Sequence, residues 1–174
     1  EFAAPTGNGY KEFPAKATGN DVFSPTPSIN DWYDTIKLSY NERDTWEKML
    51  NILKFWCNKG VDGFRVDMAE MVPVEFWQWA IAELRGKYHP ILIAEIYQPA
   101  LYHPFIDAGF DYLYDKVGLY NTLENILRNG QRADSITQVW KDLNGLDDKM
   151  LRFMENHDEV RLASPHFVGN AFAA

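Results

Sequence analysis

The stretch Val61-Asp62-Gly63-Phe64-Arg65-Val66-Asp67 decides how the rest of the chain is read. Phe64 and Val66 fall on one side of an extended segment, and Arg65 and Asp67 fall on the other. The apolar side predicts packing against helices. The charged side then points into the interior or mouth of a sheet, where a charge needs a partner. Arg65 can supply one to Asp67, and pairing with a cation keeps a carboxylate ionised.

Upstream of this strand, Trp46, Met49, Leu50, Leu53, Trp56 and Cys57 recur at helical spacing, with Asp44 read as the N-cap and Gly60 as the closing glycine. Downstream, Pro73 opens a helix carrying Phe76, Trp77, Ala80, Ile81 and Leu84, and Gly86 closes it. Ile91-Leu92-Ile93-Ala94-Glu95 is a nearly unbroken apolar strand, the pattern of a parallel strand covered on both faces. After a loop, the reading continues with a strand over 110–116, helices over 119–128 and 136–143, and a strand over 151–155 running into Asn156-His157-Asp158. The order α-β-α-β-loop-β-α-α-β implies a parallel α/β sheet with right-handed crossovers.

Composition excludes several function classes. The chain has 174 residues, of which 46% are hydrophobic and 15% aromatic, so it can bury a core and is not a disordered segment. A net charge of −8 disfavours nucleic acid and anionic membrane as partners, and is indifferent to a neutral ligand such as a sugar. The single cysteine, Cys57, permits no intrachain disulfide and reads as a packing residue. No run of 18 apolar residues is present. Compartment is left open, with secreted or periplasmic favoured over cytoplasmic.

Three strands end in an acid or run straight into one: Asp67, Glu95 and Asp158. Strand C-terminal ends carry the chemistry in α/β sheets and β/α barrels. A lone Asp there reads equally well as a helix N-cap. Glu95 fits poorly as a cap, because it closes an apolar strand. Dry surroundings would raise its pKa and make it a general acid, while a paired Asp67 stays charged as a nucleophile. That division of labour belongs to retaining glycoside hydrolysis, whose carboxyl groups lie about 5–5.5 Å apart. Adjacent strands, about 4.8 Å apart, provide such a spacing.

Gly63-Phe64-Arg65-Val66-Asp67, Ile93-Ala94-Glu95 and Phe153-Met154-Glu155-Asn156-His157-Asp158 resemble, in order, three signature segments of the α-amylase family of glycoside hydrolases. The resemblance runs from about Trp32 to Arg161. It implies a parallel (β/α)8 TIM barrel, of which this sequence holds strands four to seven. Residues 1–44, punctuated by Gly and Pro, would be the end of the loop domain inserted after strand three, and residues 45–174 a partial catalytic barrel. By this resemblance Asp67 is the nucleophile, Glu95 the acid/base and Asp158 the third acid that grips and distorts the sugar. Arg65 and His157 match family substrate-binding positions; Tyr97 is added as a substrate-binding candidate, and Glu70 reads equally well as a substrate-binding residue or as a surface or helix-start acid.

The expected substrate is a starch-like polysaccharide or malto-oligosaccharide, cleaved at α-glucosidic, chiefly α-1,4, bonds. The resemblance implies no cofactor for the chemistry. A structural calcium is possible in the full-length protein, with its main ligands outside this segment, and Asp107, Asp111 and Asp115 lack a calcium-loop pattern. Two departures stand out. Glu70 and Met71 occupy positions where many members carry Lys-His, which leaves transfer to a sugar or phosphate open beside hydrolysis. The family's Asp and Asn-His segment near strand three is absent, so a truncated barrel with exposed sheet edges is expected. A metal-dependent hydrolase built on His157 and the three acids, and a silent scaffold, are the competing classes.

Overall fold

The computed structural model describes residues 38–167, which form one four-stranded parallel sheet with helices packed along it. The described residues begin just before helix α1, Arg43–Asn58, and strand β1, Gly63–Val66. Helix α2, Val74–Arg85, leads to β2, Ile91–Ala94. Helix α3, Tyr102–Ala108, leads to β3, Tyr112–Tyr114. A π-helical turn at Lys116–Tyr120 runs into α4, Asn121–Asn129, followed by α5, Ser135–Asp142, and β4, Met150–Leu151. The spatial order β1-β2-β3-β4 follows the chain, and every pairing is parallel. Most of the expected loop segment 1–44 lies outside the described residues. No described helix is long and apolar enough to cross a membrane.

The core forms where helices meet one face of the sheet. Leu92, Ala94, Leu113 and Met150 point to that face and are buried, and Phe64 and Val66 join them. Helix α2 supplies Phe76, Trp77, Ala80, Ile81 and Leu84, all buried at the spacing expected from sequence. Each such large apolar side chain contributes roughly 1.5–3 kcal/mol by leaving water. Phe76 anchors an aromatic cluster, with Tyr40, Trp46 and Trp77 meeting it edge-on at 5.0, 5.7 and 5.0 Å.

Several local expectations are corrected. Helix α1 starts at Arg43 behind an extended Glu42, so Asp44 lies in the first turn and binds Lys48 rather than capping. Trp56 points to solvent, whereas Cys57, half-buried, packs against the core as expected. In strand β2, Leu92 and Ala94 are buried on one face, whereas among the described residues Ile93 on the other face is partly buried and Ile91 is 49% exposed. Helix α3 forms where a loop was read, because Pro104 sits in the first turn, where no intrahelical N–H is required, and Gly109 at φ 112 ends it. The third strand stops at Tyr114 because the buried Asp115 turns its Oδ1 onto the Leu119 N–H, 2.7 Å away, and closes the π turn. The fourth strand is Met150–Leu151 and not 151–155, since the chain beyond Leu151 bonds to itself as a loop.

Candidate active site

Strand alternation and register place the first two acids side by side. Val66 pairs with Ala94, so Asp67 and Glu95 follow as neighbours at the C-terminal ends of β1 and β2. The Glu95 N–H donates to the Val66 carbonyl at 3.0 Å, and the Ala69 N–H donates to the Glu95 carbonyl at 2.9 Å. These bonds carry the pairing past the strands and lock both strand ends together.

Arg65, on the same strand face as Asp67, is the hub of the site. Its Nη1 donates to Asp67, as the sequence spacing predicts. Its Nη2 forms an ion pair with Glu95 Oε2 at 2.8 Å, and lies 3.8 Å from Asp158 Oδ2. Nε donates to the Tyr114 hydroxyl at 3.2 Å, and the guanidinium lies 5.3 Å from that ring's centroid. Burial alone would lower the Arg65 pKa. The hydrogen bonds to Tyr114 and Asp67 and the Glu95 charge more than offset it, and hold the guanidinium above its ordinary value. One cation thus gathers all three sequence-predicted acids. Asp67 is 76% exposed at the open mouth, whereas Glu95 is 2% exposed.

Glu95 is buried but its surroundings are not dry, contrary to the sequence expectation. Besides Arg65, the Tyr97 hydroxyl donates to Oε1 at 2.8 Å and the Met68 N–H donates to Oε2 at 2.9 Å. The physical reason is the Met68 backbone, which takes a left-handed conformation at φ 40 and ψ 53 that brings its N–H to the carboxylate. A non-glycine residue in that region costs roughly 1–2 kcal/mol, and such strain is held where surrounding bonds over-determine it. Burial first, and then the bond to Glu95, raise the Tyr97 pKa and keep its hydroxyl a donor.

The third acid sits on a loop of its own. Asn156 Oδ1 accepts the Asp158 and Glu159 N–H groups, each at 2.9 Å. Glu155 braces the loop's far end, accepting the Leu162 N–H at 2.8 Å and an Arg161 hydrogen bond at 3.0 Å. His157 is 65% exposed, with Nε2 3.1 Å from Asp158 Oδ2. Glu70, on the turn after β1, uses Oε2 to accept the Tyr97 and Gln98 N–H groups, each at 3.1 Å.

Sequence reasoning missed Tyr114, the Met68 N–H and the bracing roles of Asn156 and Glu155. Tyr114 could have been suspected from its alternation with buried Leu113. Met68 carries no sequence signal, because its contribution is a backbone angle.

A structural calcium does not fit the described residues. Among them no group of three or more His, Cys, Asp or Glu side chains is placed to hold a metal ion. Asp111 accepts the Leu92 N–H and an Arg85 hydrogen bond, and Asp115 is committed to Leu119.

The fold that carries this site agrees with solved α-amylases. A noncanonic maltogenic α-amylase from Thermotoga neapolitana matches with a TM-score of 0.64 and 28% identity over 80% of this chain. The chain covers 32% of that structure. Alpha-amylase 3 of Dictyoglomus thermophilum is 27% identical over 146 residues, 75% of this chain and 28% of that protein. The chain is thus similar, in sequence and in fold, to α-amylases. Its four-stranded sheet matches a fragment of their (β/α)8 barrel. A cyclic α-maltosyl-(1→6)-maltose hydrolase from Arthrobacter globiformis shares the fold at a TM-score of 0.69 and 19% identity, over 90% of this chain and 38% of its own.

The chain also resembles glycosyl-transferring enzymes. The α-1,4-glucan:maltose-1-phosphate maltosyltransferase of Rhodospirillum rubrum is 31% identical over 88 residues, 48% of this chain and 13% of that protein. The chain thus spans under a third of these curated relatives. No family model matches it.

Proposed function

We propose that the protein cleaves α-1,4-glucosidic bonds of starch-like polysaccharides or malto-oligosaccharides with retention at the anomeric carbon. The single observation that carries this reading is the convergence of Asp67, Glu95 and Asp158 on the Arg65 guanidinium. An exposed Asp67 suits attack on the anomeric carbon, forming a glycosyl ester as Glu95 gives its proton to the departing glycosidic oxygen. Water then gives a proton to Glu95 and attacks the same carbon, releasing Asp67. Asp158 and His157, on the facing loop, hold sugar hydroxyls. No cofactor enters these steps.

A second reading keeps the first half-reaction and replaces water with a sugar or phosphate acceptor. The maltosyltransferase relatives favour it. Maltotetraose incubated with and without glucose or inorganic phosphate separates the two. Hydrolysis yields shorter maltodextrins regardless, and transfer yields longer or phosphorylated products that depend on the acceptor. In the full-length protein, Asp67→Asn, Glu95→Gln and Asp158→Asn should each lower turnover by roughly three orders of magnitude. Wild-type-like turnover on an α-glucan in any of them overturns the assignment of that residue.

A further inference from the structure

We propose that Glu70 is a positioning residue for the acid/base group: by accepting the backbone N–H groups of Tyr97 and Gln98, it fixes the Tyr97 hydroxyl against Glu95 and so sets how that carboxyl faces the glycosidic oxygen. The inference rests on the acid/base reading of Glu95 and deepens it.

The connection runs through two loops that meet at the same end of the sheet. Glu70 lies on the short turn Ala69–Met71 after β1, while Tyr97 and Gln98 lie in the irregular segment after β2. Tyr97 and Gln98 lie past the ladder, so their backbone groups need other partners. Glu70 Oε2 accepts two of them at 3.1 Å each. Hydrogen bonds to an ionised acceptor are the strong kind, and two converging on one oxygen define the course of the backbone. From that backbone the Tyr97 side chain turns back, and its hydroxyl reaches Glu95 Oε1 at 2.8 Å. The turn that holds Glu70 also delivers the Met68 N–H to Glu95 Oε2 at 2.9 Å.

The Glu95 carboxyl is therefore gripped on both oxygens, one from each loop, and Glu70 ties the loops to each other. A carboxyl group held in this way keeps one plane. General acid catalysis depends on that plane, because the proton must lie within hydrogen-bond reach of the leaving oxygen. Glu70 itself does not touch Glu95 in this arrangement; it acts through Tyr97.

The test uses the full-length protein and two substrates with different needs for a proton. Maltotetraose requires protonation of its leaving oxygen, whereas α-maltosyl fluoride loses fluoride without it. kcat/KM for each reports the steps up to bond cleavage. Glu70→Ala and Tyr97→Phe should each lower kcat/KM on maltotetraose by about tenfold or more, and on the fluoride by less than about threefold. Glu70→Gln, whose carbonyl oxygen can accept the same two N–H groups, should retain most of the activity on both. Equal losses on the two substrates, or no loss on either, overturn the proposal. Tyr97→Phe removes one oxygen atom and carries the test if Glu70→Ala does not fold.

Glu95→Gln separates this idea from the reading beneath it. If Glu95→Gln is selectively impaired on maltotetraose while the Glu70 and Tyr97 variants are not, Glu95 stands as the acid and the positioning role is lost. A wild-type protein inactive on both substrates overturns the acid/base reading and this inference with it.

Discussion

Arg65 meets Glu95 across the β1–β2 pairing, with Nη2 2.8 Å from Oε2 of a carboxylate that is 2% exposed. The pair matters because a carboxyl so deeply buried has little water to fall back on, and removal of Arg65 takes away a partner that solvent cannot replace. The same guanidinium also serves Asp67 and Tyr114, using three separate nitrogens. A lysine carries its three N–H donors on a single nitrogen with no planar fork, so it cannot reach partners that Arg65 meets from three separate nitrogens. Arg65→Lys should therefore lower kcat/KM on a malto-oligosaccharide by about 100-fold or more, the scale of a small misplacement of reacting groups. Steady-state kinetics of the full-length variant check this, and near-wild-type values would refute the hub role.

Gly63 shows why the first motif begins as it does. A side chain at this position would run into the Ile91 backbone carbonyl, which cannot move without breaking the β1–β2 ladder. Gly63→Ala should cost about 1–3 kcal/mol, the range for overpacking a closed site. Urea unfolding followed by tryptophan fluorescence reads that loss as a lower midpoint, and an unchanged midpoint would count against the close approach.

Tyr102 is buried at the start of α3, and its hydroxyl has no hydrogen-bond partner among the described residues. Burial, with smaller contributions from the Asp115 and Glu70 charges, pushes its pKa up from 10.0 to about 12. The folded state thus keeps the proton after the unfolded chain has released it. Stability from this group is full below pH 10 and is lost as pH rises towards 12. Tyr102→Phe should flatten the fall in stability between those pH values. It should also stabilise the protein by about 1 kcal/mol at neutral pH, since an unsatisfied buried hydroxyl is removed. Denaturant titrations of both proteins at several alkaline pH values decide it, and a steeper fall in the variant would be the contrary result.

Glu155 holds the loop that carries His157 and Asp158. Its carboxyl sits below the usual range, first because the Leu162 N–H donates to it and then because Arg161 does. A carboxyl with a depressed folded pKa contributes stability above its unfolded value and loses it as pH falls through the folded one. Amide exchange at Leu162, corrected for intrinsic rate, should therefore accelerate on acidification below about pH 4, near the ordinary carboxylate range. In Glu155→Gln it should be fast already at neutral pH, with a severalfold higher KM for malto-oligosaccharide. Full protection of Leu162 in that variant would show that other contacts hold the loop.

Much of the site was legible without coordinates because periodicity is local. Alternation in residues 63–67 put Arg65 beside Asp67 and sent Phe64 and Val66 to the helices, and helical spacing named the buried face of α2. The ends of β3 and β4 were misjudged, since Asp115 and the loop after Leu151 stop those strands through contacts of their own. Helix α3 was hidden by Pro99 and Pro104, which resemble loop punctuation until their place at a helix start is known.

The sequence alone determined that acids close successive parallel strands, because side-chain alternation and strand–helix order need only near neighbours in the chain. Only the tertiary structure decided that Arg65 would reach Glu95 and Tyr114, that Met68 and Tyr97 would line a buried carboxyl with donors, and that Glu70 would tie two loops together. Most of those contacts join residues on different strands and loops, in some cases dozens of positions apart. They exist because sheet register and loop backbone angles bring the groups to one place, and neither quantity is written in local periodicity.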